Sequence, residues 1–321
     1  PYRTDSGRAA RTMRIVFMGT PEAAVPALRR LMEDKNEIVA VWTQPDKPAG
    51  RGNKLSAPPV KVFAQLFGLK IYQPEKIRTE AAKSLFASHN ADLAIVVAYG
   101  RILPAGFLNA TRRGCVNVHF SLLPLFRGAA PVNWAIIKGE EKTGVTTMFI
   151  EEVLDSGPIL LQRETQIGET ETAPELMGRL AEMGADLLRE TLAQLDEITP
   201  RPQHDRDATF APMLRKENGL IDWSKSAFAV ERAVRGLQPW PNAYTHHRTH
   251  RLIVWRAESA STELSNAAPG RVVAAQGDDL IVNCGGETML RLIEVQPEGK
   301  RRMSARDFVN GAPLKVGDTL A

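Results

Sequence analysis

Gly114-Cys115-Val116-Asn117-Val118-His119-Phe120-Ser121-Leu122-Leu123-Pro124-Leu125-Phe126-Arg127-Gly128 decides how this chain is read. A short apolar strand, Cys115 to Val118, ends in polar side chains and runs into an apolar loop. Residues two apart on a strand project to one face, so Asn117 and His119 share a side. Upstream lie apolar runs at Arg14 to Met18, Ile38 to Trp42, near Ile71, and Leu93 to Ala98. Helical spacing separates them, over about Glu22 to Glu33, Val60 to Phe67, Arg78 to Ser88 and just after Pro104. Strand alternating with helix predicts an α/β domain, a parallel sheet with helices on both faces. Ligands of such sheets bind at the carboxyl ends of the strands, which is where Asn117 and His119 fall.

Downstream, Thr143 to Ile150 and Pro158 to Ile167 read as strands, and Thr172 to Leu195 as a long amphipathic helix. Thr199 to Pro212 carries three prolines and reads as a linker. A helix over about Ser226 to Gly236 precedes closely spaced strands at Arg251 to Trp255, Gly270 to Ala274, Leu280 to Asn283 and Met289 to Val295. That texture predicts a small β-barrel. The expected organisation is a disordered leader over 1–12 (or the trace of a misplaced start codon before Met13), a catalytic domain over 13–198, a linker over 199–212 and a second domain over 213–321.

Composition is that of a globular protein, with 43% hydrophobic and 24% charged residues. No apolar run approaches the roughly 18 to 20 residues that span a bilayer. The two cysteines, Cys115 and Cys284, have neither metal-ligand nor disulfide-framework spacing, so a cytoplasmic setting without a metal is expected. The net charge of +4 is unevenly spread: Glu140 to Thr199 holds 14 acidic and 4 basic side chains, leaving +14 on the remainder. A basic body with one acidic flank suits a polyanionic partner.

Asp155 follows His119 by 36 residues, in a Leu154-Asp155-Ser156-Gly157 turn. Asn117 offers a neutral donor for an oxyanion, His119 a proton relay, and Asp155 a carboxylate to orient it. Those are the parts that attack of an amine on an acyl carbon requires. The apolar residues of Ser121-Leu122-Leu123-Pro124 need cover, and a flat ligand is one form of cover.

Asn-x-His-x-Ser-Leu-Leu-Pro-x-x-Arg-Gly, followed by Gly144-Val145-Thr146 and Leu154-Asp155-Ser156-Gly157, resembles the folate-dependent formyltransferase family. The resemblance implies a Rossmann-like fold without a dinucleotide and 10-formyltetrahydrofolate as formyl donor. It implies Asn117, His119 and Asp155 as the catalytic trio and Ser121, Leu122, Leu123 and Pro124 as a folate-contacting loop. Phe120 stands where small residues are common in the family, and Leu125 where a basic one is.

Thr43 to Leu55 contains Lys47, Arg51 and Lys54 among prolines and glycines. Such a loop can neutralise phosphates at close approach. It resembles the insertion loop of the family branch that formylates methionyl initiator tRNA, which implies Lys47, Arg51 and Lys54 as tRNA contacts. Lys47 stands where Arg is frequent, which removes bidentate geometry there. Met13 to Pro21, Val97 to Gly100, Ile221 to Trp223, Pro239 to Pro241 and Ala267 to Gly270 match the same branch. So does the expectation of an OB-like second domain, on which Arg248, Arg251, Lys300, Arg301 and Arg302 are candidate phosphate contacts. A monomer acting away from the membrane is expected. An amino-sugar nucleotide formyltransferase would share the trio but has no need of a basic arm. A nicotinamide oxidoreductase would want Gly-x-Gly-x-x-Gly after the first strand, where Gly19-Thr20-Pro21-Glu22 stands. A non-catalytic tRNA-binding module leaves the trio unexplained.

Overall fold

The computed structural model describes residues 12–49, 54–260, 267–311 and 314–321. The 1–11 stretch of the expected leader and Arg51 lie outside them. The chain divides into two compact units. One gathers the residues up to Ala129 with Gly144–Thr165 and Met177–Phe210; the other gathers Ala130–Thr143, Gln166–Leu176 and Ala211–Ala321.

The elements run β1 (Arg14–Gly19), α1 (Val25–Glu33), β2 (Glu37–Trp42), β3 (Lys47–Ala49), β4 (Lys54–Ser56), α2 (Pro59–Leu66), β5 (Ile71–Tyr72), α3 (Glu80–Ser88), β6 (Leu93–Val97), α4 (Ala105–Leu108) and β7 (Cys115–His119). Then come α5 (Pro131–Lys138), β8 (Lys142–Phe149), β9 (Ile159–Gln166) and α6 (Ala173–Ala193). The main sheet has the order β5-β2-β1-β6-β7-β8-β9. Its strands pair parallel from β5 to β7, as the alternation predicted, and β7 meets β8 antiparallel with His119 opposite Thr146.

Both faces of β1 are buried: Val16 and Met18 join a core with Trp42, Phe86 and Phe107, while Ile15 and Phe17 on the other face are also fully covered. That is why β1 reads as a continuous apolar run rather than an alternation. Trp42 anchors its core, stacked on Tyr72 and edge-on to Phe86 and Phe107. Helix α3 starts at Glu80, because Thr79 takes the cap and its hydroxyl accepts from the Ala82 amide. Gly184 lets α6 approach the sheet: a Cβ there would sit 2.9 Å from Val118 Cγ1. The same gap accommodates Phe120, which is buried.

In the second unit, α7 (Ala227–Gly236) precedes β10 (Ala243–His247), β11 (His250–Ala260), β12 (Val272–Gln276), β13 (Asp279–Asn283), β14 (Met289–Pro297), β15 (Met303–Ser304) and α8 (Ala305–Gly311). The antiparallel order is β10-β11-β14-β13-β12. Both edges are met by the last residues of the chain. Ala321 exchanges backbone bonds with His246 of β10, and the Val272 amide of β12 donates to Asp318 O. This closes the expected small barrel where the last residues meet His246 of β10 and Val272 of β12. Strand β11 is longer than its apolar stretch because it bends through register shifts on either side of Arg256.

Candidate active site

Asn117 and His119 leave β7 on one face, as the two-residue period requires. His119 is buried, with Nε2 3.0 Å from Phe126 O. A carbonyl only accepts, so Nε2 carries the hydrogen and Nδ1 is the nitrogen available for proton exchange. Nδ1 lies 3.7 Å from Oδ2 of Asp155. The structure therefore brings His119 and Asp155 together. Asn117 sits two residues from His119, half-buried, with no side-chain hydrogen bond to any described residue.

Asp155 and Phe126, the two residues flanking the imidazole, have φ of 53° and 60°. Left-handed non-glycine residues cost about 1–3 kcal/mol each and persist only where their surroundings fix them. Asp155 Oδ2 accepts from the Gly128 amide at 2.8 Å. Phe126 is held by its amide, which donates to Thr209 Oγ1 at 2.8 Å, and Arg127 N donates to Thr209 O.

Ser121, Leu122, Leu123 and Pro124 form a tight turn tied to strands β8 and β9. The Ser121 hydroxyl donates to Leu125 O, and Thr146 Oγ1 donates to Ser121 O while accepting from Leu123 N. Gln162 Nε2 donates to Leu123 O. Leu123 packs with Met148 and Ile159, and Leu122 lies over Gly144. Strands β8 and β9 thus bury Leu123, while Leu122 and Pro124 stay half-buried.

A cavity of about 330 Å³ opens elsewhere on the same unit, and none of those four residues lines it. Its walls include Leu108, Cys115, Phe149 and Ile150, with the carboxylates of Glu151 and Glu152. Burial pushes the Cys115 thiol up to about 12, so it lines the cavity as a small apolar group, not a nucleophile. The segment that begins at Ile150 runs on to Asp155, so one loop serves the cavity and the carboxylate.

The basic segment is a hairpin: β3 and β4 pair Lys47 with Ser56 and Ala49 with Lys54. Lys47 is exposed. Its root is fixed by Asp46, which accepts from Lys61 Nζ at 2.7 Å and Gln73 Nε2 at 2.7 Å. Those two bonds, with Gln73 the larger influence, hold the Asp46 carboxyl below its ordinary range. On the barrel, Arg251 stacks on Tyr244 at 3.9 Å and Arg302 is paired with Glu294.

Residues 201–209, in the stretch that reads as a linker, also reach the site. Gln203 bonds the backbone around Asp155, and Arg127 pairs with Asp205 at 2.8 Å. Proline and charge dominate this stretch, so it offers no periodicity to mark its role.

Residues 13–192 match the formyl transferase family, and residues 213–313 match the formyl transferase C-terminal domain. Methionyl-tRNA formyltransferase of Citrifermentans bemidjiense is 46% identical over 310 residues, covering 96% of each chain. That of Alkaliphilus oremlandii is 43% identical, covering 96% of this chain and 99% of its own. Among solved structures, WlaRD, a sugar 3N-formyl transferase, superposes with a TM-score of 0.66 at 15% identity, covering 91% of this chain and all of its own. HypX from Aquifex aeolicus in complex with tetrahydrofolic acid gives 0.62 at 17%, covering 97% of this chain and 51% of that one. These likenesses in structure speak to the fold alone, whereas the sequence matches run nearly end to end: the chain belongs to the formyl transferase family.

Proposed function

We propose that this enzyme transfers the formyl group of 10-formyltetrahydrofolate to the amino group of methionyl initiator tRNA. The observation that carries the reading is the His119–Asp155 pair beside Asn117, on a chain 46% identical to a methionyl-tRNA formyltransferase. The amine nitrogen attacks the formyl carbon, and negative charge develops on the formyl oxygen. Asn117, with its amide uncommitted within the fold, donates to that oxygen. His119 Nδ1 moves the proton that the amine loses toward the folate nitrogen that must leave, and Asp155 stabilises the charged ring while it exists. The C–N10 bond then breaks and N10 takes the proton.

Folate is assigned to the loop of Ser121, Leu122, Leu123 and Pro124, which leaves the carboxyl end of β7 directly after His119 and keeps Leu122 and Pro124 half-buried. The same turn leads to Phe126, whose carbonyl oxygen holds His119 Nε2. The hairpin carrying Lys47, Arg51 and Lys54 is assigned to tRNA phosphates, and Asp46 holds its root. Binding energy from the tRNA body positions the small methionyl amine.

The test is formyl transfer from 10-formyltetrahydrofolate with methionyl initiator tRNA and an amino-sugar nucleotide assayed in parallel. Formyl-methionyl-tRNA as the product is expected. Product from the sugar alone would overturn the tRNA assignment and keep the trio.

A further inference from the structure

We propose that Gln203 is a positioning residue for Asp155, oriented for that task by Arg127. The inference rests on the role of Asp155 proposed for formyl transfer. The loop from Ile150 to Gly157 has little apolar packing to hold it: Val153 is 67% and Leu154 53% exposed. Ser156 bonds only within the loop, to Val153 O. Asp155 nevertheless keeps a left-handed conformation, so ties from outside must fix it.

Gln203 supplies them. Its Nε2 donates to Asp155 O at 2.9 Å and to Gly157 O at 2.8 Å, on either side of the turn. Its Oε1 accepts from Arg127 Nε at 3.1 Å. A guanidinium only donates, so Arg127 dictates which end of the amide faces it and leaves both N–H groups for the loop carbonyls. Arg127 is itself 4% exposed, with Nη1 on Asp205. The next residue, Gly128, donates its amide to the carboxylate of Asp155. Arg127-Gly128 thus grips the same aspartate twice, once directly and once through Gln203. Displacing a reacting group by about 1 Å costs on the order of 100-fold in rate, so breaking this tie should act on turnover.

Gln203→Glu discriminates this role from a merely structural one. The side chain keeps its size and gains a stronger partner in Arg127, but it cannot donate to the two carbonyls. The expected result is a kcat about 10- to 100-fold lower, with KM for tRNA within about 2-fold. The melting temperature falls as well, because both loop carbonyls lose their donor, whereas a merely structural role would lower the melting temperature and leave kcat of the folded enzyme unchanged. In an Asp155→Asn background the same change should lower kcat less than about 2-fold further, because Gln203 acts only through Asp155. Normal kcat in Gln203→Glu, or full multiplication of the two effects, would overturn the proposal. If Asp155→Asn alone leaves transfer intact, the reading of Asp155 fails and the inference falls with it; if Asp155→Asn is slow and Gln203→Glu is normal, the inference alone fails. Should Gln203→Glu not fold, Gln203→Ala carries the same comparison.

Discussion

Nδ1 of His119 stands 3.7 Å from Oδ2 of Asp155, a separation too long for a direct hydrogen bond and short enough for strong attraction to a charged ring. The other ring nitrogen is occupied by Phe126 O at 3.0 Å. One nitrogen is therefore structural and the other chemical, and the assignments can be tested separately.

Replacing His119 with alanine removes the proton relay and leaves the hairpin untouched. Single-turnover transfer should slow by about 100- to 10,000-fold, the usual worth of general acid–base catalysis. Affinity for methionyl-tRNA, measured by filter binding, should stay within about 2-fold.

Asn117→Ala removes a donor aimed at developing charge. A fall in kcat of about 100- to 1,000-fold is expected, with little change in KM for the folate donor. Equal losses in binding and turnover would instead mark Asn117 as a substrate-binding group.

The hairpin predicts a salt-dependent interface. Lys47→Ala combined with Arg51→Ala should raise KM for tRNA by about 10-fold. It should also flatten the dependence of log affinity on log salt by about one for each phosphate left without its cation. An unchanged slope would remove the hairpin from the interface.

Gly157→Ala should disturb the loop that carries Asp155. A Cβ there would lie 1.9 Å from Phe149 O, so the backbone must move. A loss of about 1–3 kcal/mol in urea unfolding is expected, together with slowed transfer.

His89 should make the first unit sensitive to acid. The Trp42 indole donates to His89 Nε2 at 3.1 Å, which requires a lone pair on that nitrogen. Burial first, and Lys70 second, hold the His89 pKa below its ordinary 6.5. Because the folded value is the lower one, the unfolded chain takes up the proton first. This contribution is complete above about pH 6.5 and is lost as pH falls through that value toward the folded one. Melting temperatures measured between about pH 7.5 and about pH 5 should fall more steeply for the native chain than for His89→Gln, which keeps an acceptor but cannot be protonated.

Much of the fold and half of the site were legible in the sequence. The α/β class followed from apolar runs spaced by helical patterns, because a buried parallel strand needs apolar side chains on both faces. Asn117 and His119 could be paired from spacing alone, because the strand period of two is local geometry. The hairpin at Lys47 to Ser56 read only as a basic loop, since its three-residue strands are too short to show alternation. Strand β10, with its His246-His247 end, was likewise hidden by polar residues.

What the sequence by itself determined are the features encoded within a few residues: strand and helix periods, the polar pair at the end of β7, the glycine after Asp155 and the charge of the hairpin. Only the tertiary structure decided the rest. It covered Leu123 with Met148 and Ile159, closed the barrel with the last residues of the chain, and brought Gln203 to Asp155 across 48 positions. Those contacts depend on how the chain returns on itself, and a side-chain amide that reads two backbone carbonyls leaves no mark in residue spacing, because every residue presents the same carbonyl.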